Sequence, residues 1–529
     1  MRSYEATYIL GYRVNDLRRV LPPGRQMRVG SSVGGRVWGK DRVRMARSLG
    51  FHLVGAAPLI PDVQDLETSC RGAQHRFLRD TPKPSRKVMR RFRGFVRMWV
   101  RMNLEPLSFD SDISVASWLD GTSYSVARKN ELLEHEGVAY HKRFLRNKMF
   151  RKRECYFEPK HARQINSRHD WFKTRTGPIF KLIEHELFKR PEFIKTVPVA
   201  ERAEYMHQML YRVGATYLET DHTSFEAHMS GEIMRVCEMQ LYSYMVRNLP
   251  DKDWFPLVLK GLCSEQNCYS SNRYGYQSAR GQARMSGDMC TSLGNGFTNL
   301  MVMKFIAQEL GWSECVGVVE GDDGLFRIAG PIPTEQDFAS VGFTIKAQVS
   351  DSIGRAGFCH LYNVEGQNEN LVDPISTAIK IGWTLSPQMH GGRAVMNKLA
   401  RAKAMSLVCE APANPITAAI GLSMLRVTHG NTVLDPYDPD RWWNEQCLHN
   451  IDHCIARAKR GPTIEQRLFV EEKWGVSVAD QQHIEAWFSK QSRIVPISDP
   501  VLLKYVPKWP SFSYDTFIDI AKKGHSWRS

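Results

Sequence analysis

Residues 317–326 read GVVEGDDGLF. A small and apolar run with Val318 and Val319 at its centre delivers two adjacent carboxylates, Asp322 and Asp323, and another apolar stretch follows at once. Apolar runs on both sides of a Gly-Asp pair predict two strands, CVGVVE (315–320) and GLFRIAG (324–330), with the aspartates as the turn between them. Two like charges so close repel, and burying them unpaired costs several kcal/mol. The pair therefore asks for a positive charge.

A chain of 529 residues exceeds what one hydrophobic core supports, which points to two or three packed subdomains or one large multi-part enzyme. Hydrophobic residues at 42% and charged residues at 24% are ordinary for a folded protein. The net charge of +16 is not ordinary, and it favours a polyanionic partner, either nucleic acid or an anionic membrane surface. The 11 cysteines are odd in number and include no CxxC pair, which argues against a disulfide framework and fits a reducing compartment. The first 20 residues lack a signal-peptide core, and no run of 18 apolar residues predicts a membrane-spanning helix. Any membrane contact is expected to be peripheral or borrowed from a partner.

Residues 1 to about 85 are mixed and rich in Gly, Pro and Arg, ending in the breaker DTPKPS (80–85). The next stretch, RKVMRRFRGFVRMWVRMN (86–103), is striped as a helix. At about 100° per residue, Arg86, Arg90, Arg93, Arg97 and Arg101 share one face, and Val88, Phe92, Phe95, Val96 and Trp99 share the other. Three readings suit it: a membrane-surface helix, a helix packed on a core with its arginines toward RNA, or a solvated basic face. Between about 125 and 185, Lys and Arg are interleaved with Tyr, Phe and Trp, a pairing that suits phosphates and base faces together. Helix, strand and helix follow from 188 to 245, with the strand at ATYLETD (215–221), and an apolar helix is expected at FTNLMVMKFIAQEL (297–310). Beyond about 395 the pattern is helical. CLHNIDHC (447–454) offers Cys447, His449, His453 and Cys454 as zinc ligands, but on a helix the two Cys and two His fall on nearly opposite faces, so no zinc site is expected.

The stretch YLETDHTSFEAH (217–228) places Asp221 just after a strand, as Asp322 and Asp323 follow another. Carboxylates at neighbouring strand ends coordinate oxygen-loving cations such as Mg²⁺. Two such ions about 3.5–4 Å apart activate an attacking oxygen and stabilise a leaving one. A lone Gly-Asp-Asp is weak, because Gly-Asp turns are common. The order of its neighbours is what carries weight.

In that order the chain resembles the RNA-dependent RNA polymerases of positive-strand RNA viruses, most closely the tombusvirus-like group. DHTSFE (221–226) looks like motif A of their palm, SGDMCTSLGNGFTN (286–299) like motif B and EGDDG (320–324) like motif C. GFTIKAQ (342–348) resembles motif D, GFCHLYN (357–363) motif E and KHARQINSR (160–168) the basic motif F of the fingers. SYSVARKN (123–130) is similar to the segment that guides the template strand, so the resemblance covers roughly 123 to 362.

The resemblance implies an α+β right-hand fold with fingers, a palm whose antiparallel sheet bears the Gly-Asp-Asp hairpin, and a helical thumb. It divides the chain into an N-terminal extension (1–110) packing on fingers or thumb, fingers (111–204), palm (205–365, with a fingers insert near 245–280) and thumb with C-terminal helices (366–529). The activity it implies is template-directed RNA synthesis, in which a 3′-hydroxyl attacks the α-phosphate of a nucleoside triphosphate and releases pyrophosphate. Asp221, Asp322 and Asp323 become the ligands of two Mg²⁺ ions, with Mn²⁺ as a substitute, and Lys346 the acid that protonates pyrophosphate. Lys160, Arg163 and Arg168 are expected to meet the triphosphate. Glu226 stands where the family usually has Asp, and joins Ser286, Thr291 and Asn295 in sensing the ribose 2′-hydroxyl. Gly287 is expected to let backbone approach the template; Ser125 and Arg128 guide the template, and Phe358 and Cys359 shape the turn that grips the primer strand. Implied partners are RNA template and product, nucleoside triphosphates, and another viral replication protein supplying membrane attachment in the host cytoplasm. A reverse transcriptase usually carries Tyr-x-Asp-Asp in place of Glu320 to Asp323 and lacks this motif B. A basic RNA-binding or capsid-like protein has no reason to space these carboxylates in palm order.

Overall fold

Alternating apolar residues build a four-stranded antiparallel sheet from β1 (Thr216–His222), β2 (Glu314–Glu320), β3 (Asp323–Ala329) and β4 (Ile345–Ser350), in the spatial order β4-β1-β3-β2. This computed structural model describes residues 26–31, 46–56, 58, 72–152, 154–156, 163–222, 224–272, 275–430 and 441–507. The fold is mixed α+β. Glu320 pairs with Asp323 to close the β2–β3 hairpin, so the turn is Gly321 and Asp322, and Asp323 is already the first residue of a strand. The turn is thus displaced by one residue from the Asp-Asp pair expected. Gly321 takes φ 61, and glycine first in a two-residue loop is what a type II′ hairpin uses to match strand twist.

One face of the sheet is covered by the helix Thr291–Glu309, apolar around most of its circumference and correspondingly buried on nearly every side. Outside it lies the arginine-striped helix Arg86–Asn103, started by Ser85, whose side chain accepts the Val88 N–H. Met89, Phe92, Val96, Trp99 and Val100 are its buried residues. Phe92 and Phe95 meet Phe305 with ring centroids 5.1 and 5.7 Å apart, and Trp99 meets Phe297 edge-on at 5.9 Å. The apolar stripe read from the sequence therefore belongs to the protein core, and any ligand of this helix must meet its charged face.

A second sheet has five strands in the order Gln26–Ser31, Gly275–Gly281, Gln266–Asn272, Asn147–Arg151 and Gln164–Ser167. Its last strand reaches the residues 286–288 through a bridge between Ser167 and Gly287. C-terminal helices, among them Arg393–Glu410, Thr417–Val427 and Val478–Ser489, close around Val408, Ile420, Met424 and Ile484. Leu49, Phe51 and Leu53 join this core, and Arg47–Ser48 pairs with Trp383–Thr384, so the N-terminal residues 46–56 pack on the C-terminal helices. In the helix Arg441–Arg460, His449 and His453 are exposed whereas Cys454 is buried, which separates the zinc-capable side chains; the Cys447 side chain lies outside the described residues.

Replacing Phe92, fully buried between two helices, by Ala is expected to cost about 3–5 kcal/mol of stability. Replacing exposed Arg90 on the same helix is expected to stay within about 0.5 kcal/mol. Urea denaturation of the two variants measures both.

Candidate active site

Asn299 is fully buried in the helix Thr291–Glu309, where an amide must find partners. Its Nδ2 donates to the backbone carbonyls of Asp322 and Asp323, both at 3.1 Å. Its Oδ1 lies 3.2 Å from Nε2 of His222, the residue after Asp221. Burial pushes the His222 imidazole down to about 3, so the ring is neutral, and the acceptor it faces assigns its proton to Nε2. One amide thus ties the end of β1 to the turn of the β2–β3 hairpin.

The carboxylates beside this lock crowd one another. Burial, then Glu226 and Asp323, push the Asp322 carboxyl up to about 7, with Arg163 opposing. Burial also raises Asp323; Asp221 and Glu320 add to that, while the Cys359 thiol and His360 oppose it. The Cys359 S–H donates to Asp323 Oδ2 at 3.4 Å. Cys359 and His360 both hold positive φ, 53 and 62, in a tight turn closed by Phe358 and Leu361, a conformation costing a non-glycine residue on the order of 1–3 kcal/mol. Glu320 is paired with Arg202 at 2.5 Å. Among the described residues no three His, Cys, Asp or Glu side chains converge as a preformed metal cage.

Next to the hairpin opens a cleft of about 430 Å³. Arg163, Glu226, Ser286, Thr291, Asn295 and Asp322 all line it, joined by Arg76, Lys152 and Lys195, which the motifs did not single out. Asn295 is buried and its Oδ1 has no hydrogen-bond partner among the described residues. Ser286 donates to the Gln164 carbonyl at 2.9 Å and Thr291 to the Asp288 carbonyl at 2.9 Å, which fixes both hydroxyls at the cleft wall. Arg76 approaches Glu226 at 4.0 Å, Arg163 approaches Glu154 at 3.3 Å, and Lys195 donates to Ser292 at 2.7 Å.

Other expected residues lie elsewhere. Arg168 does not reach the cleft: it is 2% exposed, ion-paired with Asp288, and donates to Gln266 at 2.8 Å. Its fork fastens the strand Gln164–Ser167 to the 286–288 segment, a structural task in place of the triphosphate contact expected. Gly287 donates to the Asn166 carbonyl at 3.2 Å, and a Cβ there would stand 2.8 Å from that oxygen. The protein's own backbone occupies that approach. Arg128 is held by Asp170 at 2.7 and 2.8 Å and by Glu131 at 2.8 Å, while exposed Ser125 caps the helix Val126–Leu133. Phe358 is buried with Tyr217, Val318 and Leu325. Asp221 is exposed at its strand end, opposite Lys346 in the β4 register. The Lys346 side chain and the whole of Lys160 lie outside the described residues.

A family model described as viral RNA dependent RNA polymerase matches residues 70–368. The chain belongs to this family. An RNA-directed RNA polymerase of Panicum mosaic virus (strain United States/Kansas 109S) is 28% identical to it over 171 residues, 31% of this chain and 17% of that relative. The matched segment thus spans less than a fifth of the relative's length.

Within the polymerase-family region, the motifs also gave no warning of an ion pair beneath the cleft. Arg284 and Glu238 are both fully buried and paired, and Tyr242 donates to Glu238 at 2.9 Å. Burial raises the Glu238 carboxyl and the guanidinium pulls it back. Removing one partner strands the other charge, so Glu238→Gln or Arg284→Met is expected to cost about 3–5 kcal/mol. The joint replacement Glu238→Leu with Arg284→Met is expected to cost less than the sum of the two single changes, as urea denaturation of the set measures.

Proposed function

We propose that this chain carries out template-directed RNA synthesis. The observation that carries this reading is the lock of Asn299 on His222 and the Gly-Asp-Asp turn, beside a cleft lined by Glu226, Ser286, Asn295 and a set of Arg and Lys side chains. Such a cleft combines cations suited to phosphate with polar groups suited to a sugar. On this reading the four-stranded sheet is the palm, the five-stranded sheet and the basic 111–204 region the fingers, and the C-terminal helices the thumb.

The donor set fits a divalent cation. Asp322 and Asp323 are hard oxygen donors whose charged forms are disfavoured by burial and by each other, a state that a nearby cation reverses. Asp221, Asp322 and Asp323 are the residues that would hold Mg²⁺, in a pair of ions or with Mn²⁺ in their place, with substrate phosphates as further ligands. When bound, the metal activates the attacking hydroxyl and neutralises charge on the leaving pyrophosphate.

The protein groups do the rest by position. Arg163, with Lys152 and Lys195, draws the triphosphate into the cleft, and Lys160 extends that set. Glu226, Ser286 and the unpartnered amide oxygen of Asn295 read the ribose, and Thr291 supports Ser286 from the start of its helix. Lys346, set opposite Asp221 in the sheet register, supplies a proton to pyrophosphate. The Phe358–Cys359 turn bears on the product strand. We assign stable membrane anchoring in the host cytoplasm to a second viral protein, which leaves room for a peripheral contact by this chain; among the described residues no helix is long and apolar enough to cross a membrane.

The test is extension of a short single-stranded RNA by purified protein with Mg²⁺ and labelled nucleotides, with and without a primer. Labelled product is expected, and Asp322→Asn with Asp323→Asn abolishes it while RNA affinity stays largely intact. Asn299→Leu is expected to slow extension by roughly 10–100-fold, the usual effect of loosening a ligand's support. Glu226→Ala is expected to narrow the preference for ribo- over deoxynucleotides. Protein that retards RNA on a gel but never extends it is a binding protein, and unchanged synthesis by the double Asn variant sinks the carboxylate assignment.

A further inference from the structure

The helix Arg86–Asn103 carries seven cationic side chains and no acidic one. Its apolar residues are spent on Phe297 and Phe305 of the helix Thr291–Glu309, which itself covers the four-stranded sheet. The charged face is therefore the outermost of three layers, and it does not line the cleft. Arg91 is paired with Glu309, and Arg97 donates to Gln240 at 2.6 Å. Arg86, Lys87, Arg90, Arg93 and Arg101 are exposed, and no ion pair is found for them among the described residues. Partial burial, and after it the neighbouring Arg93 and Arg101, disfavours the charge of Arg97. Like charges held at one-turn spacing on a rigid, core-anchored helix gain from any anionic surface laid across them.

Two observations choose between anionic partners. Met98 and Met102 are 49% and 75% exposed at the edge and C-terminal end of the same face, a placement that suits an acyl boundary and adds nothing to phosphate binding by RNA. The face is also a convex helix surface, whereas the cleft already holds its own set of cations for nucleic acid.

We propose that this face docks the protein directly on a membrane surface rich in anionic headgroups, with Met98 and Met102 entering the headgroup boundary. The contact is peripheral, electrostatic first and apolar second. Its preference for lipid over RNA rests in part on the function proposed above for the cleft.

Flotation of the full chain with phosphatidylcholine vesicles, with and without phosphatidylserine, tests it. The protein is expected to float with the anionic vesicles only, and less as salt rises. Arg86→Glu with Arg90→Glu and Arg93→Glu is expected to reduce flotation at least tenfold, with RNA extension and thermal midpoint unchanged. The same charge change at exposed Lys142, Arg146 and Lys148 is expected to leave flotation near wild type. Met98→Ser with Met102→Ser is expected to remove the part that survives high salt. If the charge-reversed protein fails to fold, Arg→Gln at the same three sites replaces it. Flotation equal to wild type in the folded variant, or loss equal to that of the distant control, overturns the proposal. So does absence of flotation by the wild type, and so does loss of RNA affinity with vesicle binding intact, which would make this an RNA face.

Discussion

Everything that gives the carboxylates their place passes through one buried amide. Asn299 spends both ends of its side chain on backbone and ring atoms that flank acidic residues, donating to the Asp322 and Asp323 carbonyls and accepting from His222. A buried amide left without these partners costs about 1–3 kcal/mol, so the helix, the hairpin turn and the β1 end are held in one arrangement by the cost of leaving it. His222 contributes because it is neutral. Burial against Phe225 and Phe343 keeps it so.

A surplus of carboxylates is the second constraint. Burial, Glu226 and Asp323 raise the proton affinity of Asp322, and burial, Asp221 and Glu320 that of Asp323; Arg163 offsets only part of the first, and the Cys359 thiol and His360 only part of the second. Further cations, among them Arg76, Lys152 and Lys195, line the same cleft as Asp322 and Glu226. On the function proposed above, a polyanionic substrate carrying divalent cations would satisfy both sets of charge at once. Gly287 lets the strand Gln164–Ser167 approach the 286–288 segment closely, and Arg168 and Asp288 seal that joint.

Much of this was legible in the sequence, and what was not has a common cause. Apolar runs around Gly321 and Asp322 announced the hairpin, and the striped pattern of 86–103 announced a helix with one buried face. Glu226, Ser286, Thr291, Asn295 and Arg163 reached one cleft because their motifs are local and carry their own geometry. Arg168, expected at the triphosphate, and Arg128, expected at the template, are each held by a carboxylate of the protein itself. A sequence shows that a guanidinium is available; it does not show that a carboxylate 120 positions on, or 42, will claim it. The Glu238–Arg284 pair was hidden for the same reason. Asn299 left a faint signal, an asparagine amid the apolar run 297–310, but its partners lie at distant strand ends.

The arginine-striped helix shows how one element serves two solvents. Its aromatic side is held by ring contacts to Phe297 and Phe305, and that packing fixes the direction of every side chain on the far face. In an isolated peptide the same residues would be free to turn their apolar side to a bilayer and lie within it. Here that side is unavailable, so only charge and the two exposed methionines can reach a surface. Attraction of this kind falls away within about 10 Å at ordinary salt, which makes it a reversible contact that orients the protein. Because the four-stranded sheet lies on the inner side of the intervening helix, a surface bound to this face leaves the cleft residues clear of it.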